Sequence, residues 1–444
     1  MPAMTAGSAF AVVRAVHELA ALIALGQLVW AEMIRRERDA GVEVLVAVSI
    51  GVSLVAALGW LAFEAVDMSG LPFTDALTRS TLAVVLEETL FGRVWALRLV
   101  LGAGICAWLV ARRRGAGAPG CGERRVLLVF VAVYVATLAL TGHAVAAQGA
   151  ERVLRVGADA LHLLAAGAWL GALPGLAGTA AAASGSASPE AIDAAARATR
   201  RFSVLGIVCV ATLIATGIVN AWFLVGSRLA LIGTSYGHWL LAKLALFAAM
   251  IAIAAYNRQR LSPRIGAGDR FALGQLARNA RVELALGAVI VAIVGHLGIS
   301  VPAIHDHPVV PAFLAGGAPL PTYPTTDAVS PVPASDDAIA HGRELFVANC
   351  AACHGDSGRG DGAKAASLPV APADLTMHGS MHTPGDLWWK IAHGVPGTPM
   401  PAFSPRLRDT EIWQLVQYVR AIAGAPVAAR ASSSTHAHEH EHRH

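Results

Sequence analysis

Charge is scarce in this 444-residue chain: 14% of its residues are Asp, Glu, Lys or Arg, against 55% hydrophobic, and the mean hydropathy is +0.55. One water-soluble core cannot absorb that much apolar surface, so the composition excludes an ordinary soluble globule and points to several membrane spans. Cysteine is scarce too. Five in the whole chain exclude a disulfide-built scaffold, and Cys350 with Cys353 is the one close pair, so a zinc site built from two neighbouring pairs is excluded as well. Lys and Arg outnumber Asp and Glu by 34 to 30. The arginines nevertheless fall in short clusters between apolar runs rather than along one amphipathic face, which argues against a nucleic-acid surface. No fixed-period repeat, nucleotide loop or hydrolytic motif is present.

What the chain does have is long apolar runs. Runs of about 20 residues, enough to cross a bilayer, recur near 9–34, 42–66, 93–111, 125–147, 158–180, 202–226, 238–256 and 281–301. The stretch 67–92 carries charges throughout and reads as an interfacial helix or loop. Arginine sets the orientation. The loops after the first, third, fifth and seventh runs hold groups such as Arg35, Arg36 and Arg38, or Arg258, Arg260 and Arg264, whereas the intervening loops hold few. The arginine-bearing side is therefore expected to be cytoplasmic, and eight spans then put both termini outside. The N-terminal segment has no basic n-region and no small-residue cleavage site, so it reads as a retained first span.

After the last run the character changes. Residues 302–336 form a Pro-rich linker that, extended at about 3.1 Å per residue, would reach roughly 100 Å. Then comes "NCAACHGDSGRG", residues 349–360. Cys-x-x-Cys-His is the pattern of covalent haem c attachment, two thiols for the porphyrin and a histidine for the iron. Further on, "GVPGTPMPAF" places Met400 between two prolines, where a thioether is held stiffly. Met377 and Met381, in "LTMHGSMHT", are rival sulfur ligands in a more polar run. The closing segment "LRDTEIWQLVQYVRAIAG" has Ile412, Leu415, Val416 and Val419 at helical spacing, Asp409 or Thr410 as candidate caps and Gly424 at its end. These features over 337–424 are similar to class I cytochromes c. The resemblance implies thioethers at Cys350 and Cys353, a proximal ligand at His354 and a distal one at Met400. Because haem c is attached outside the cytoplasmic membrane, the motif and the arginine-derived orientation agree. The tail 425–444 ends "THAHEHEHRH", a tract suited to weak binding of divalent metals.

Within the spans the notable residues are histidines. His17, His143, His162, His238 and His296 lie on different runs, in the half of the bilayer facing outside on the orientation above. Imidazole binds copper and haem iron alike, and ionisable groups in membranes are functional sites by default, although the same residues could simply pair with Glu18, Glu64, Asp159 or carbonyls. His143 ends the fourth run and His162 opens the fifth, at matching depth. They are the expected centre of a copper or haem b site, with His17 and His296 as further ligands.

"DALHLLAAGAWLGAL", "RFSVLGIVCVATLIATGIVNAWFLVG" and "GTSYGHWLLAKLALFAAMIAIAAYNRQRL" resemble the copper resistance protein D (CopD) family of polytopic bacterial inner-membrane proteins, most strongly over about 140–300. The expected architecture is thus all-α: a CopD-like bundle over 1–301, the linker, a cytochrome c domain over 337–424 and the His-rich tail. Two functions stay open. In one, the bundle handles copper ions while the tethered haem c exchanges electrons with periplasmic or membrane redox partners, even as a metal reductase. In the other, the chain is a respiratory module passing electrons between quinol, or a membrane haem b, and the haem c. A bundle serving only as an anchor is a blander third. The spans contain no Met-rich or Cys-pair relay of the kind that passes copper along.

Overall fold

The computed structural model describes residues 6–35, 40–69, 71–114, 121–141, 149–225, 228–300, 330–368, 371–379, 382–395 and 398–424. His143, Met381, most of the linker and the His-rich tail lie outside them. The chain divides into two compact units at Pro311–Ala312, described here one at a time. Among the described residues every regular element is helical.

The first unit is built on α1 (Ala6–Val29), α2 (Ala40–Ser69), α3 (Leu90–Arg114), α4 (Cys121–Ala136), α5 (Gly149–Leu170), α6 (Leu173–Gly185), α7 (Pro189–Val225), α8 (Ser235–Tyr256) and α9 (Arg270–Leu297). Seven stretches among the described residues are long and apolar enough to cross a membrane, with α5 and α6 forming one of them. The remaining expected span, 125–147, is not among these seven; it is described only to Thr141 and is occupied by α4. Its α-helix has 16 residues and tightens into a 3-10 turn at Thr137–Leu140. At about 1.5 Å per α residue and 2.0 Å per 3-10 residue, Cys121–Leu140 is about 32 Å long, comparable to a hydrocarbon core of about 30 Å. The stretch 67–92 contains two short helices, Phe73–Ala76 and Arg79–Glu88, neither long enough to span.

Three helices overrun their apolar runs. α5 starts at Gly149, α7 at Pro189 and α9 at Arg270, because helix formation continues through polar, arginine-bearing turns that hydropathy does not register. Asp269 caps α9, its side chain accepting from the Ala272 N–H at 3.1 Å. Of the spans, α1 is the most enclosed, with 61% of its apolar window buried against 6% for α8. So α1 is central, packed on α2, α4, α5 and α9, and α8 lies at the rim.

One local conflict shapes the centre. Pro174 sits in the first turn of α6; it has no N–H to donate, and its ring would collide with the carbonyl four residues earlier. The helix therefore breaks at Gly171–Ala172. No water is available in a bilayer core to satisfy a freed carbonyl. Gln27 of α1 does so instead, donating from Nε2 to the Gly171 oxygen at 2.6 Å. That approach requires two glycines: a Cβ on Gly26 would lie 2.1 Å from the Gly171 carbonyl carbon, and one on Gly171 would lie 2.1 Å from the Leu22 oxygen.

The second unit packs α10 (Asp336–Asn349) against α13 (Asp409–Ile422), with α11 (Ala351–His354) and α12 (Pro384–His393) between them in sequence. Ser335 caps α10 and Thr383 caps α12 through their hydroxyls. Neither Asp409 nor Thr410 caps α13, contrary to expectation. The cap is Arg408, whose N–H donates to Glu411 Oε2 at 2.7 Å, so Glu411 reaching back does the work assigned to a short polar residue. Gly424 does follow the helix end, with φ +65°. Ile412, Leu415, Val416 and Val419 are all buried in one core with Phe346, which packs on Tyr418 at 5.2 Å between ring centroids. The helices cross where Gly342 has no side chain; a Cβ there would lie 2.1 Å from the Gln414 carbonyl oxygen.

Asp386 ties α12 to the segment before it, contacting His382 Nδ1 at 2.6 Å and Lys390 Nζ at 3.0 Å. Burial alone would push its carboxyl up, but the His382 hydrogen bond and the Lys390 charge outweigh burial and hold it down to about 2.

Two outcomes follow. Gln27→Leu should destabilise the bundle by about 1–3 kcal/mol by leaving the Gly171 carbonyl unsatisfied, read as a lower melting temperature in detergent; an unchanged melting temperature would mean another donor reaches that oxygen. A folded pKa below the unfolded value of about 3.9 means that the Asp386 carboxylate stabilises the second unit above about pH 4 and that this contribution is lost as pH falls through about 2. Asp386→Asn should therefore cost about 1–2 kcal/mol at pH 7, allowing for solvent screening. The gap to the unsubstituted protein should close towards pH 2, and a gap independent of pH would rule out the carboxylate charge as its source.

Candidate functional site

The haem-attachment motif is a single helical turn held from two sides. Cys350 ends α10, its N–H donating to the Phe346 carbonyl at 2.8 Å, and α11 carries Cys353 and His354. The glycine-rich loop that follows folds back on the motif: Gly360 N–H donates to His354 O at 2.7 Å, Gly362 N–H to Cys353 O at 3.1 Å and Lys364 N–H to Ala352 O at 2.8 Å. This return, with Leu375 N–H on Gly358 O, brings the Ala373 carbonyl to His354. His354 Nδ1 lies 3.0 Å from that oxygen. A carbonyl can only accept, so Nδ1 carries the proton and Nε2 keeps a bare lone pair. Burial depresses the His354 pKa, partly opposed by the Ala373 bond, which favours the neutral ring that a metal needs.

The other donors have suitable surroundings. Cys350 and Cys353 are half-buried and in no disulfide. Burial, and secondarily Cys353, push the Cys350 thiol up to about 12, so it stays protonated at neutral pH. Met400 packs against the core. Its loop is pinned to α12 by Phe403 N–H on Ile391 O and Ser404 N–H on Ala392 O, and its own N–H reaches Thr398 Oγ1 at 3.3 Å. Met377 is 52% exposed. The Trp388 indole N–H is shielded and has no acceptor among the described residues, the kind of orphan that a carboxylate of a bound porphyrin would satisfy. Two free thiols, a bare Nε2, a core-facing thioether and an orphaned indole donor fit a covalent haem.

In the bundle the histidines are separately engaged. His17 has both ring nitrogens in use: Arg98 Nη2 donates to Nε2 at 2.6 Å, so Nδ1–H must serve the Ser53 carbonyl at 2.7 Å. Arg98 also bonds the Tyr134 carbonyl and Thr137 Oγ1, and Ser53 Oγ lies 2.9 Å from Tyr134 OH, giving a closed network across α1, α2, α3 and α4. His162 is different. Its Nδ1 is 2.9 Å from Thr216 Oγ1, whose own proton goes to the Thr212 carbonyl, so Nε2 is bare. His296 stacks edge-on to Trp239 at 5.1 Å, and His238 bonds the Ile232 carbonyl. Asp159 accepts from Asn220 at 3.3 Å. Among the described residues no three His, Cys, Asp or Glu side chains gather as a metal site, and the partner expected for His162, His143, lies outside them. Arg98 escaped notice in the sequence, although a lone arginine inside "VWALRLVLGAG" is itself the signal of a buried polar partner.

The comparisons with known proteins divide along the same lines. Residues 4–153 match the family model for the copper resistance protein D-like N-terminal domain, 196–297 that for copper resistance protein D, and 337–419 that for subunit III of cbb3-type cytochrome c oxidase. Copper resistance protein D of Pseudomonas syringae pv. tomato is 32% identical over 205 residues, 46% of this chain and 64% of that protein. Inner membrane protein YebZ of Escherichia coli is 29% identical over 245 residues, 55% of this chain and 80% of that one. Cbb3-type cytochrome c oxidase subunit CcoP of Azospirillum is 35% identical over 99 residues, 20% of this chain and 31% of the subunit. The chain thus spans just under two thirds of the Pseudomonas protein and under one third of the oxidase subunit. Residues 4–153, outside most of the 140–300 stretch that carries the sequence resemblance, have a family match of their own, and the C-terminal domain matches a cytochrome c of the cbb3 subunit III type, which implies haem c. Residues 4–153 and 196–297 are thus a membrane domain of the copper resistance protein D type, joined to a cytochrome c domain over 337–419.

Proposed function

We propose that this chain is a copper-handling protein of the bacterial inner membrane, serving copper resistance or transport, with a tethered haem c domain on the periplasmic side. The observation that carries the proposal is the union in one chain of a CopD-family bundle with a motif whose His354 Nε2 is freed by the Ala373 bond. Arginine supports the orientation. Arg197, Arg200 and Arg201 in α7, and Arg258, Arg260, Arg264, Arg270, Arg278 and Arg281 around α8 and α9, gather at one end of the bundle. With that end cytoplasmic and α4 counted as a span, both termini and the cytochrome lie outside.

Cys350 and Cys353 would hold the haem by thioethers, and His354 and Met400 would bind its iron. Bound there, haem c supplies one-electron oxidation and reduction. Met400 would supply its sulfur from a loop with proline on both sides, and the unpartnered Trp388 indole N–H would supply a hydrogen-bond donor to the bound group. The substrate would be copper, Cu(II) gaining or Cu(I) losing one electron as soft or hard ligands require. On the bundle side His162 offers a bare Nε2, with His143 and His296 as further ligands for copper or haem b. His17 can join only if Arg98 releases its ring. A second reading, a respiratory electron carrier, is favoured by one observation, the likeness of the cytochrome domain to oxidase subunits.

The Cys350→Ala, Cys353→Ala double variant should insert normally but lose haem staining on denaturing gels; undiminished staining would sink the assignment. Met400→Ala should keep the haem covalently bound and lower its reduction potential, because Met/His ligation holds that potential high. If Met377→Ala lowers it instead, the distal ligand is misplaced. His143→Ala with His162→Ala should abolish the copper-dependent phenotype and any bundle-bound copper or iron while leaving haem c in place. A double variant matching the unsubstituted protein in copper response and bound metals would make these histidines structural.

A further inference from the structure

At the arginine-bearing end of the bundle, far from the haem motif in sequence, a cavity of about 370 Å³ opens between α5, α7, α8 and α9. Its walls are mostly apolar, with Trp169, Phe202, Gly206 and Ile214 among them, and its buried polar groups are Thr199, Asn257 and Glu283. Glu283 is 1% exposed. Asn257 donates to its Oε1 at 2.8 Å and is itself held by Asn279 at 2.7 Å, so this side of the carboxyl is fixed. Oε2 is shielded and has no partner among the described residues. A buried carboxyl oxygen left unbonded costs about 1–3 kcal/mol or more, and orphans of this kind call for a missing partner. The backbone at the same place is irregular: α8 passes into a π-helix at Asn257–Leu261, which begins at the residue that bonds Glu283. Single-turn π segments inside α-helices are frequent at functional sites.

The chemistry narrows the occupant. No His, Cys or Met lines the cavity, so it is not a soft-metal site. Arg258 stands at the mouth, bonded to Ser203 Oγ at 2.8 Å, which disfavours a cationic ligand, and an anionic headgroup placed deep inside would face the carboxyl. An acyl chain would fill the space and leave Oε2 as it is. A neutral aromatic ring bearing oxygen, on an apolar tail that dissolves in the bilayer, meets every requirement. We propose that the cavity binds the ring of a membrane quinone or quinol, with one ring oxygen on Glu283 Oε2. A carboxyl suits both forms: protonated it donates to a quinone carbonyl, and ionised it accepts from a quinol hydroxyl. Trp169 and Phe202 supply aromatic walls, and the volume falls at the small end of ligand pockets, fitting a ring with the start of a tail. The inference concerns binding alone and stands apart from the copper and haem assignments.

The test uses full-length, haem-loaded protein in quinone-free nanodiscs, titrated with a decyl-tailed ubiquinone and its quinol and followed by tryptophan quenching against empty nanodiscs. Saturable binding of both forms is expected. Gly206→Phe, which fills the cavity, should abolish it without loss of haem staining. Glu283→Gln keeps the Asn257 bond through its amide oxygen and turns Oε2 into a donor only. It should hold the quinone within a few-fold and weaken the quinol about tenfold, the loss of one buried hydrogen bond. Equal losses for both forms, unchanged affinity in Gly206→Phe, or full displacement by decylbenzene, which has the tail and ring but no oxygen, would each overturn the proposal.

Discussion

The absence of water from the bilayer core is the constraint on which the bundle depends, because every polar atom placed there must find its partner inside the protein. The break before Pro174 shows how this works. A proline that cannot continue a helix breaks it, a glutamine on the central helix bonds the Gly171 carbonyl at the break, and two glycines are needed for the backbones to come that close. The central position of α1 follows from the same requirement. It carries Arg14, His17, Glu18 and Gln27, all buried: Arg14 bonds the Gly298 carbonyl after α9, His17 the Ser53 carbonyl of α2 and Gln27 the Gly171 carbonyl after α5, while Glu18 pairs with Arg14 on α1 itself.

Seen this way, the buried polar groups of the bundle fall into two kinds. The His17, Arg98, Ser53 and Tyr134 network is closed, with donors matched to acceptors. Such a network holds four helices in register and has no lone pair to offer. His162 and Glu283 are open, each fixed through one atom and bare at another. A group oriented by one bond with its remaining valence unspent is arranged as a ligand-binding group is, and these two lie on different helices with different chemistry around them.

In the cytochrome unit a single carbonyl performs the corresponding task. The loop after His354 uses short backbone bonds to fold back on α11 and deliver the Ala373 oxygen, which settles which imidazole nitrogen is protonated. The helix pair α10 and α13, in contact at Gly342, provides the frame that keeps the motif, α12 and the Met400 loop around one core.

Much of this was legible in the sequence, because the signals are one-dimensional. Apolar runs report spans, Cys-x-x-Cys-His reports haem attachment through spacing within one turn, and the period of Ile412, Leu415, Val416 and Val419 reports a buried helix face. Hydropathy could not give the full length of α5, α7 and α9, since it registers apolar residues and not helical backbone. The cap of α13 was misread because Glu411 reaching back to Arg408 matters more than the identity of the residues at the start. The pairing of His17 with Arg98, of Gln27 with the Gly171 carbonyl and of Glu283 with Asn257 joins positions 26 to 144 residues apart. Which polar atoms are satisfied and which are left open depends on helices that meet only in three dimensions; the sequence alone determined the elements and the haem-attachment motif, and the tertiary structure decided which buried groups have a lone pair or an oxygen to offer.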